Sequence, residues 1–189
     1  MKKKITTFCL LFCLFSVFSQ SEKKQITNFS NSLCSCIEKE SGTLREVLKK
    51  CTLKILTKDP SLIKIATNIA DKKGNINEAY WSKINLKLAS SCDTYNILLM
   101  ESFIDKNQKF QPVIIGIGNQ ICKKLKPLNN VSEKDINRIV IPLLKKNQKK
   151  LLKTFSSPGA VMKNLNHYLA LNCKKYRTYY SLSSAKKSN

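Results

Sequence analysis

An offset of 81 residues lays one apolar stripe of this chain over another, and no other feature constrains its fold as tightly. Tyr80, Ile84, Leu88, Cys92, Tyr95 and Leu99 recur at spacings of three and four, as one face of an α-helix requires. Adding 81 gives Val161, Leu165, Leu169, Cys173, Tyr176 and Tyr180, a second stripe with the same spacing. Within them, Asn85-x-x-Leu88-Ala89-x-x-Cys92-x-x-Tyr95 matches Asn166-x-x-Leu169-Ala170-x-x-Cys173-x-x-Tyr176, five identities in eleven positions. Further upstream, Asn31-x-Leu33-Cys34-x-x-Ile37 parallels Asn119-x-Ile121-Cys122-x-x-Leu125. Self-similarity of this kind marks one supersecondary unit used twice. The sequence therefore predicts two tandem helical units, residues 20–105 and 106–181, and a disordered tail over 182–189.

The class is all-α. Five Gly and five Pro in 189 residues leave few turns, and no stretch alternates apolar and polar residues for long. Helices are predicted over 23–39, 43–57, 60–72, 77–103, 111–126, 132–155 and 159–180. Ile26, Phe29, Leu33 and Ile37 form the core stripe of the first. Asp59-Pro60 places a proline at a first helical turn. Ser132 with Asp135 reads as an N-cap, and Pro142 is expected to kink or split the sixth helix.

Residues 1–19 read as a cleavable signal sequence. Lys2, Lys3 and Lys4 precede an apolar run from Ile5 to Phe18, and Ser16, Ser19 and Ser21 surround a cut after Ser19. The run is too short to span a bilayer comfortably, so export to the periplasm or beyond is expected. Cleavage removes Cys9 and Cys13 and leaves six cysteines, an even number that suggests disulfides in an exported chain. The repeat proposes their pairing. Cys122 and Cys173 are the two cysteines of the second unit, so they are expected to bond, and by analogy so are Cys34 and Cys92. Cys36 and Cys51 then remain for each other; Lys124 stands opposite Cys36 in the second unit.

Charge divides unequally. Residues 20–105 hold 13 basic and 10 acidic side chains, whereas 106–189 hold 18 basic and 2 acidic. Genomic bias toward lysine would act on both halves, so the loss of acids points to an anionic partner for the second unit. The densest patch is Lys145, Lys146, Lys149, Lys150 and Lys153, opposite an apolar face of Ile136, Val140, Leu143, Leu144, Leu151 and Phe155. Such a helix suits an acidic membrane surface or an anionic polymer. Lys174, Lys175 and Arg177 also lie among Tyr168, Tyr176, Tyr179 and Tyr180, an interleaving that single-stranded nucleic acid uses. Only Arg45, Arg138 and Arg177 supply arginine beyond the leader, and an exported chain meets little nucleic acid, so that partner is set aside.

Catalytic signatures are missing. The chain has one histidine, His167, and no nucleophile elbow, P-loop or zinc-protease motif. Gly116-Ile117-Gly118 sits in an apolar helix, where close packing explains it better than phosphate binding. Cys34-Ser35-Cys36 is neither a C-x-x-C redox motif nor one half of a four-ligand zinc site. No metal or cofactor is expected.

The signal ending FSVFSQS, with Cys34-Ser35-Cys36-Ile37, Cys51 and Leu88-Ala89-x-x-Cys92, resembles uncharacterised small exported proteins of flavobacteria-type bacteria, chiefly over residues 25–100. That resemblance implies an exported helical fold and carries no activity. The expected function is a non-enzymatic binding or structural protein of the cell envelope whose basic second unit engages an anionic surface or polymer. A carrier holding a small hydrophobic ligand between helices, or a thiol-redox enzyme, are the competing readings. The sequence sets no oligomeric state.

Overall fold

The computed structural model describes residues 22–59, 62, 65, 68, 77–105 and 107–187. The expected signal sequence lies outside them, as does most of the expected helix 60–72, including Pro60. The described residues form an all-helical fold in two compact units, divided between Leu88 and Ala89.

The first unit contains helix α1 (residues 22–37), helix α2 (Leu44–Lys58) and most of helix α3 (Glu78–Ser91). Ile26, Phe29, Leu33 and Ile37 are all buried, so the stripe read from the sequence is the core face of α1. Thr43 starts α2 through a capping box with Glu46: its hydroxyl accepts from the Glu46 N–H, and the Glu46 carboxylate accepts from the Thr43 N–H at 3.0 Å. Those bonds hold the Glu46 carboxyl below the usual carboxylate range. A disulfide between Cys36 and Cys51, with Cα atoms 5.7 Å apart, ties the end of α1 to the middle of α2.

The second unit takes in the end of α3 and then α4 (Asp93–Glu101), α5 (Pro112–Leu125), α6 (Glu133–Lys146), α7 (Gln148–Thr154), α8 (Pro158–Asn172) and α9 (Lys174–Lys187). Its border comes earlier than the joint expected after residue 105, because α4 packs on α8 and α9 while Met100 and Ile104 enter the same core as Ile117, Ile121, Leu165 and Leu169. The central element is α5, which touches α6, α8 and α9.

Two long helices expected from periodicity are each broken by one residue. The helix over 77–103 stops at Cys92 (φ −115°, ψ 99°) and that over 159–180 at Cys173 (φ −122°, ψ 97°). Both breaks are stabilised in the same way. The carbonyls freed at the end of the first helix are met by a side chain of the second: Asn96 Nδ2 donates to the Ala89 carbonyl at 2.9 Å, and Arg177 Nη1 to the Ala170 carbonyl at 3.0 Å. These pairs stand 81 residues apart, as the cysteines do. The change of direction also leaves Tyr180 exposed, although periodicity put it on the core stripe.

The sixth helix is not split at Pro142. α6 runs through it and ends at Asn147. Proline deprives the Arg138 carbonyl of its helical donor, but both residues are exposed and water replaces the lost bond. The break falls at Asn147 because its side-chain amide donates to the Leu143 carbonyl at 2.8 Å and terminates the helix. At the other end, Ser132 and Asp135 form the expected cap, with the hydroxyl accepting from the Asp135 N–H at 3.2 Å.

Gly118 is where α5 and α8 approach most tightly. A Cβ there would stand 2.2 Å from Cδ1 of Tyr168, whereas one at Gly116 meets nothing within 4 Å. Tyr168 is fixed over Gly118 by its hydroxyl, which donates to Asn119 Oδ1 at 2.8 Å, and by an edge-on contact with Phe110. Gly118→Ala is therefore expected to destabilise the protein by about 1–3 kcal/mol through overpacking. Gly116→Ala, on the exposed face of the same helix, should stabilise it by roughly 0.5–1 kcal/mol. Urea unfolding of the two variants measures both; equal effects would show that Tyr168 does not press on α5.

Candidate functional site

The break at Cys173 assembles the most unusual group of side chains in the second unit. Cys173 is the last residue before α9, so its sulfur lies at the positive end of that helix, where the Tyr176 N–H donates to it. Cys122 reaches it from α5, one helical turn beyond Gly118 and on the same face. The close approach permitted by Gly118 thus delivers Cys122 to the break.

Sequence reasoning brought these two cysteines together as a disulfide. The structure brings them together as free thiols, hydrogen-bonded to one another. Packing of α5 on α8 and α9 accounts for their proximity. Cys173 is buried and Cys122 is partly exposed.

The two sulfurs have opposite acidities. The hydrogen bond from Cys122, helped by the Tyr176 N–H and the Arg177 guanidinium and opposed by burial, pulls Cys173 down to about 7. The same hydrogen bond, with burial and the neighbouring thiolate, pushes Cys122 far above the ordinary thiol range. The surroundings thus favour charge on Cys173 over charge on Cys122. This is the arrangement that gives a thiol low leaving-group cost in exchange chemistry.

Arg177 was named in the sequence only as part of a basic and aromatic segment. The structure makes it the organising residue of the site. It is buried, and its guanidinium is fully engaged. Nη1 donates to the carbonyls of Ala170 and Leu171 at 3.0 and 2.9 Å, while Nη2 and Nε donate to the Asp93 carboxylate at 3.1–3.3 Å. Asp93 stands at the start of α4, where a carboxylate also suits the helix dipole. Laying residues 161–180 over 80–99 held the clue, since Arg177 then aligns with Asn96 and the reach to the freed carbonyl is common to both.

The other cysteines among the described residues offer no thiolate. Cys36 is bonded to Cys51, and Cys34 and Cys92 are also disulfide-bonded, the state that their expected link requires. A redox pair or metal hook at Cys34-Ser35-Cys36 therefore lacks the free sulfurs it needs. His167 is occupied with Gln108 Oε1 at 2.9 Å from Nδ1, and burial with the nearby Lys163 lowers its pKa.

The five lysines of the basic patch are all exposed, and none makes an ion pair with an acidic group among the described residues. Lys145 and Lys146 end α6; Lys149, Lys150 and Lys153 lie on α7. Lys150 and Lys153 edge a groove of about 600 Å³ that also borders Gly116 and Gln120 of α5. Val140, Leu143 and Leu151 face the core as expected.

Compared with known proteins, the chain matches no family model, no curated protein and no solved structure.

Two outcomes follow from this geometry. Arg177→Ala leaves two buried carbonyls and Asp93 without their donor and is expected to cost about 2–4 kcal/mol in urea unfolding. Lys174→Ala, which removes an exposed partner 3.8 Å from Asp93, should cost less than about 1 kcal/mol. The second outcome concerns pH. Cys173 has a lowered pKa in the folded protein, so its contribution to stability is present above the unfolded thiol pKa of roughly 8.5 and is lost as pH falls through about 7. Cys122, shifted upward, contributes below the ordinary thiol pKa and loses that contribution as pH rises beyond it. With this pair reduced, the urea midpoint should climb between about 7 and 8.5 and then decline. Cys173→Ser should flatten the climb; a climb that persists in that variant would assign it to another group.

Proposed function

We propose that the protein is an exported, non-enzymatic helical binding protein of the cell envelope, and that its second unit docks on an anionic surface through α6 and α7. The observation that carries this reading is the surface made by Lys145, Lys146, Lys149, Lys150 and Lys153: five exposed cations, close in sequence, with no acidic partner among the described residues. The two acids of residues 106–189, Glu133 and Asp135, lie at the far end of α6, and Asp135 is bound to Ser132 and Arg138. Nothing in this segment is placed to neutralise the lysines.

Lipid is the favoured anionic surface. Ile141 and Leu152 are 49% and 63% exposed, and they share helix faces with Lys145 and Lys149. Apolar side chains standing among lysines suit a headgroup layer, where the cations meet phosphates and the apolar groups enter the acyl boundary. A polyanion in water has no use for Leu152. Export is supported by the disulfides and by the leader read from the sequence. No helix among the described residues is long and apolar enough to cross a membrane, so the contact proposed is peripheral.

The test is sedimentation with vesicles. The protein should bind vesicles containing phosphatidylglycerol and ignore those of phosphatidylcholine alone, and high salt should release it. Replacing Lys145, Lys149 and Lys153 by Gln should weaken binding by roughly a hundredfold, at about 1 kcal/mol per lysine. Leu152→Asn should weaken it further. Equal binding to both vesicle types, or binding indifferent to salt, would remove the electrostatic basis of the proposal.

A further inference from the structure

From the placement of Cys122 and Cys173 we infer that the second unit contains a reversible thiol–disulfide exchange site, with Cys122 as the sulfur that meets external disulfides and thiols and Cys173 as the sulfur that closes or opens the internal bond. The inference is independent of the membrane reading, because none of the lysines on α6 and α7 takes part.

Three features of the geometry assign the roles. The first is adjacency: both sulfurs are free, Cys122 packs against the core cluster that holds Cys173, and α5 touches both α8 and α9, so a bond between them needs no rearrangement of the chain at large. The second is access. Cys122 is partly exposed on α5, while Cys173 is 4% exposed beneath the α8–α9 break. An incoming molecule reaches Cys122 first. The third is the support for charge at Cys173, where the Tyr176 N–H and the buried Arg177 stand ready for a thiolate.

The chemistry balances with a low-molecular-weight disulfide, RSSR, as oxidant. Cys122 Sγ attacks one sulfur of RSSR as its proton passes to Cys173, and the S–S bond of RSSR breaks to release RS⁻, which takes a proton from water. Cys173 then loses its proton, attacks Cys122 Sγ and expels the second RS⁻. The sum is RSSR plus one protein thiol and one protein thiolate giving one protein disulfide, one RSH and one RS⁻. Reduction reverses the path: a thiolate attacks the exposed Cys122 Sγ, and Cys173 departs as the thiolate its surroundings stabilise. A good leaving group on the buried side makes this bond easier to open. Cys36–Cys51 is built differently, since Cys51 is fully buried and the bond is already formed.

The experiment equilibrates the full chain in mixtures of reduced and oxidised glutathione, quenches it with an alkylating agent and maps the peptides. Cys122 and Cys173 are expected to shift between thiol and disulfide across these mixtures, while Cys36–Cys51 stays bonded throughout. With Cys173→Ser, oxidised glutathione should accumulate as an adduct on Cys122; with Cys122→Ser, the adduct on Cys173 should be at least about tenfold less abundant because the sulfur is buried. The wild-type arm does not depend on either variant folding. A pair that stays reduced in fully oxidised glutathione, a pair as resistant to reduction as Cys36–Cys51, or adduct formed preferentially on Cys173 would each overturn the assignment.

Discussion

The second unit depends on how the chain crosses the one-residue gap at Cys173. Breaking a helix there frees carbonyls inside a core, and buried carbonyls without donors cost on the order of 1–3 kcal/mol each. Arg177 resolves the problem from the next helix. Its planar fork supplies Ala170 and Leu171 on one side and Asp93 on the other, so the ends of α8, α9 and α4 converge on one guanidinium. Burying that charge is tolerable because every donor direction is used and Asp93 retains some solvent. Lysine has no fork and would leave part of this set unmet.

The same solution creates the chemistry. An extended residue at a helix start points its side chain toward free N–H groups, and here that residue is a cysteine beside an arginine. At Cys92 the backbone turns in the same way, yet the following helix carries Asn96 in place of Arg177, and the cysteine is disulfide-bonded. One local fold therefore serves two ends. A neutral amide satisfies the carbonyl and nothing more; a guanidinium satisfies it and biases the adjacent sulfur toward charge. Gly118 completes the arrangement by letting α5 come close enough under Tyr168 for Cys122 to meet Cys173.

Much of this was legible in the sequence, for definable reasons. Apolar spacing found the buried faces of α1, α3 and α8, and Ser132 with Asp135 announced the start of α6, because each signal is local. The breaks at Cys92 and Cys173 were not legible, since one extended residue hardly disturbs a spacing of three and four. Pro142 misled for the opposite reason: its signal is strong, but on an exposed face water makes good the lost bond. The proximity of Cys122 and Cys173 could be read from the repeat. Their state as thiols could not, because the same alignment matches them to Cys34 and Cys92, which are disulfide-bonded. Arg177 was hidden inside a cluster of charges, where counting cannot separate a buried fork from a solvated lysine.

The asymmetry of charge acquires a physical sense once the helices are placed. Residues 106–189 retain two acids, and Asp135 among them is committed to opening α6, where its carboxylate bonds the Ser132 N–H and faces Arg138. The buried arginine of this unit borrows its counter-ion from Asp93, upstream of the basic segment. Every local demand for an anion is thus met without an acid near Lys145 to Lys153. The five cations there repel one another, and the fold spends no carboxylate to relieve them. Selection for stability alone would favour an acid on α7, four residues from Lys153 for instance, at a gain of roughly 0.2–0.5 kcal/mol. On the proposal that this surface docks on anionic lipid, the compensation that the fold forgoes comes from headgroup phosphates.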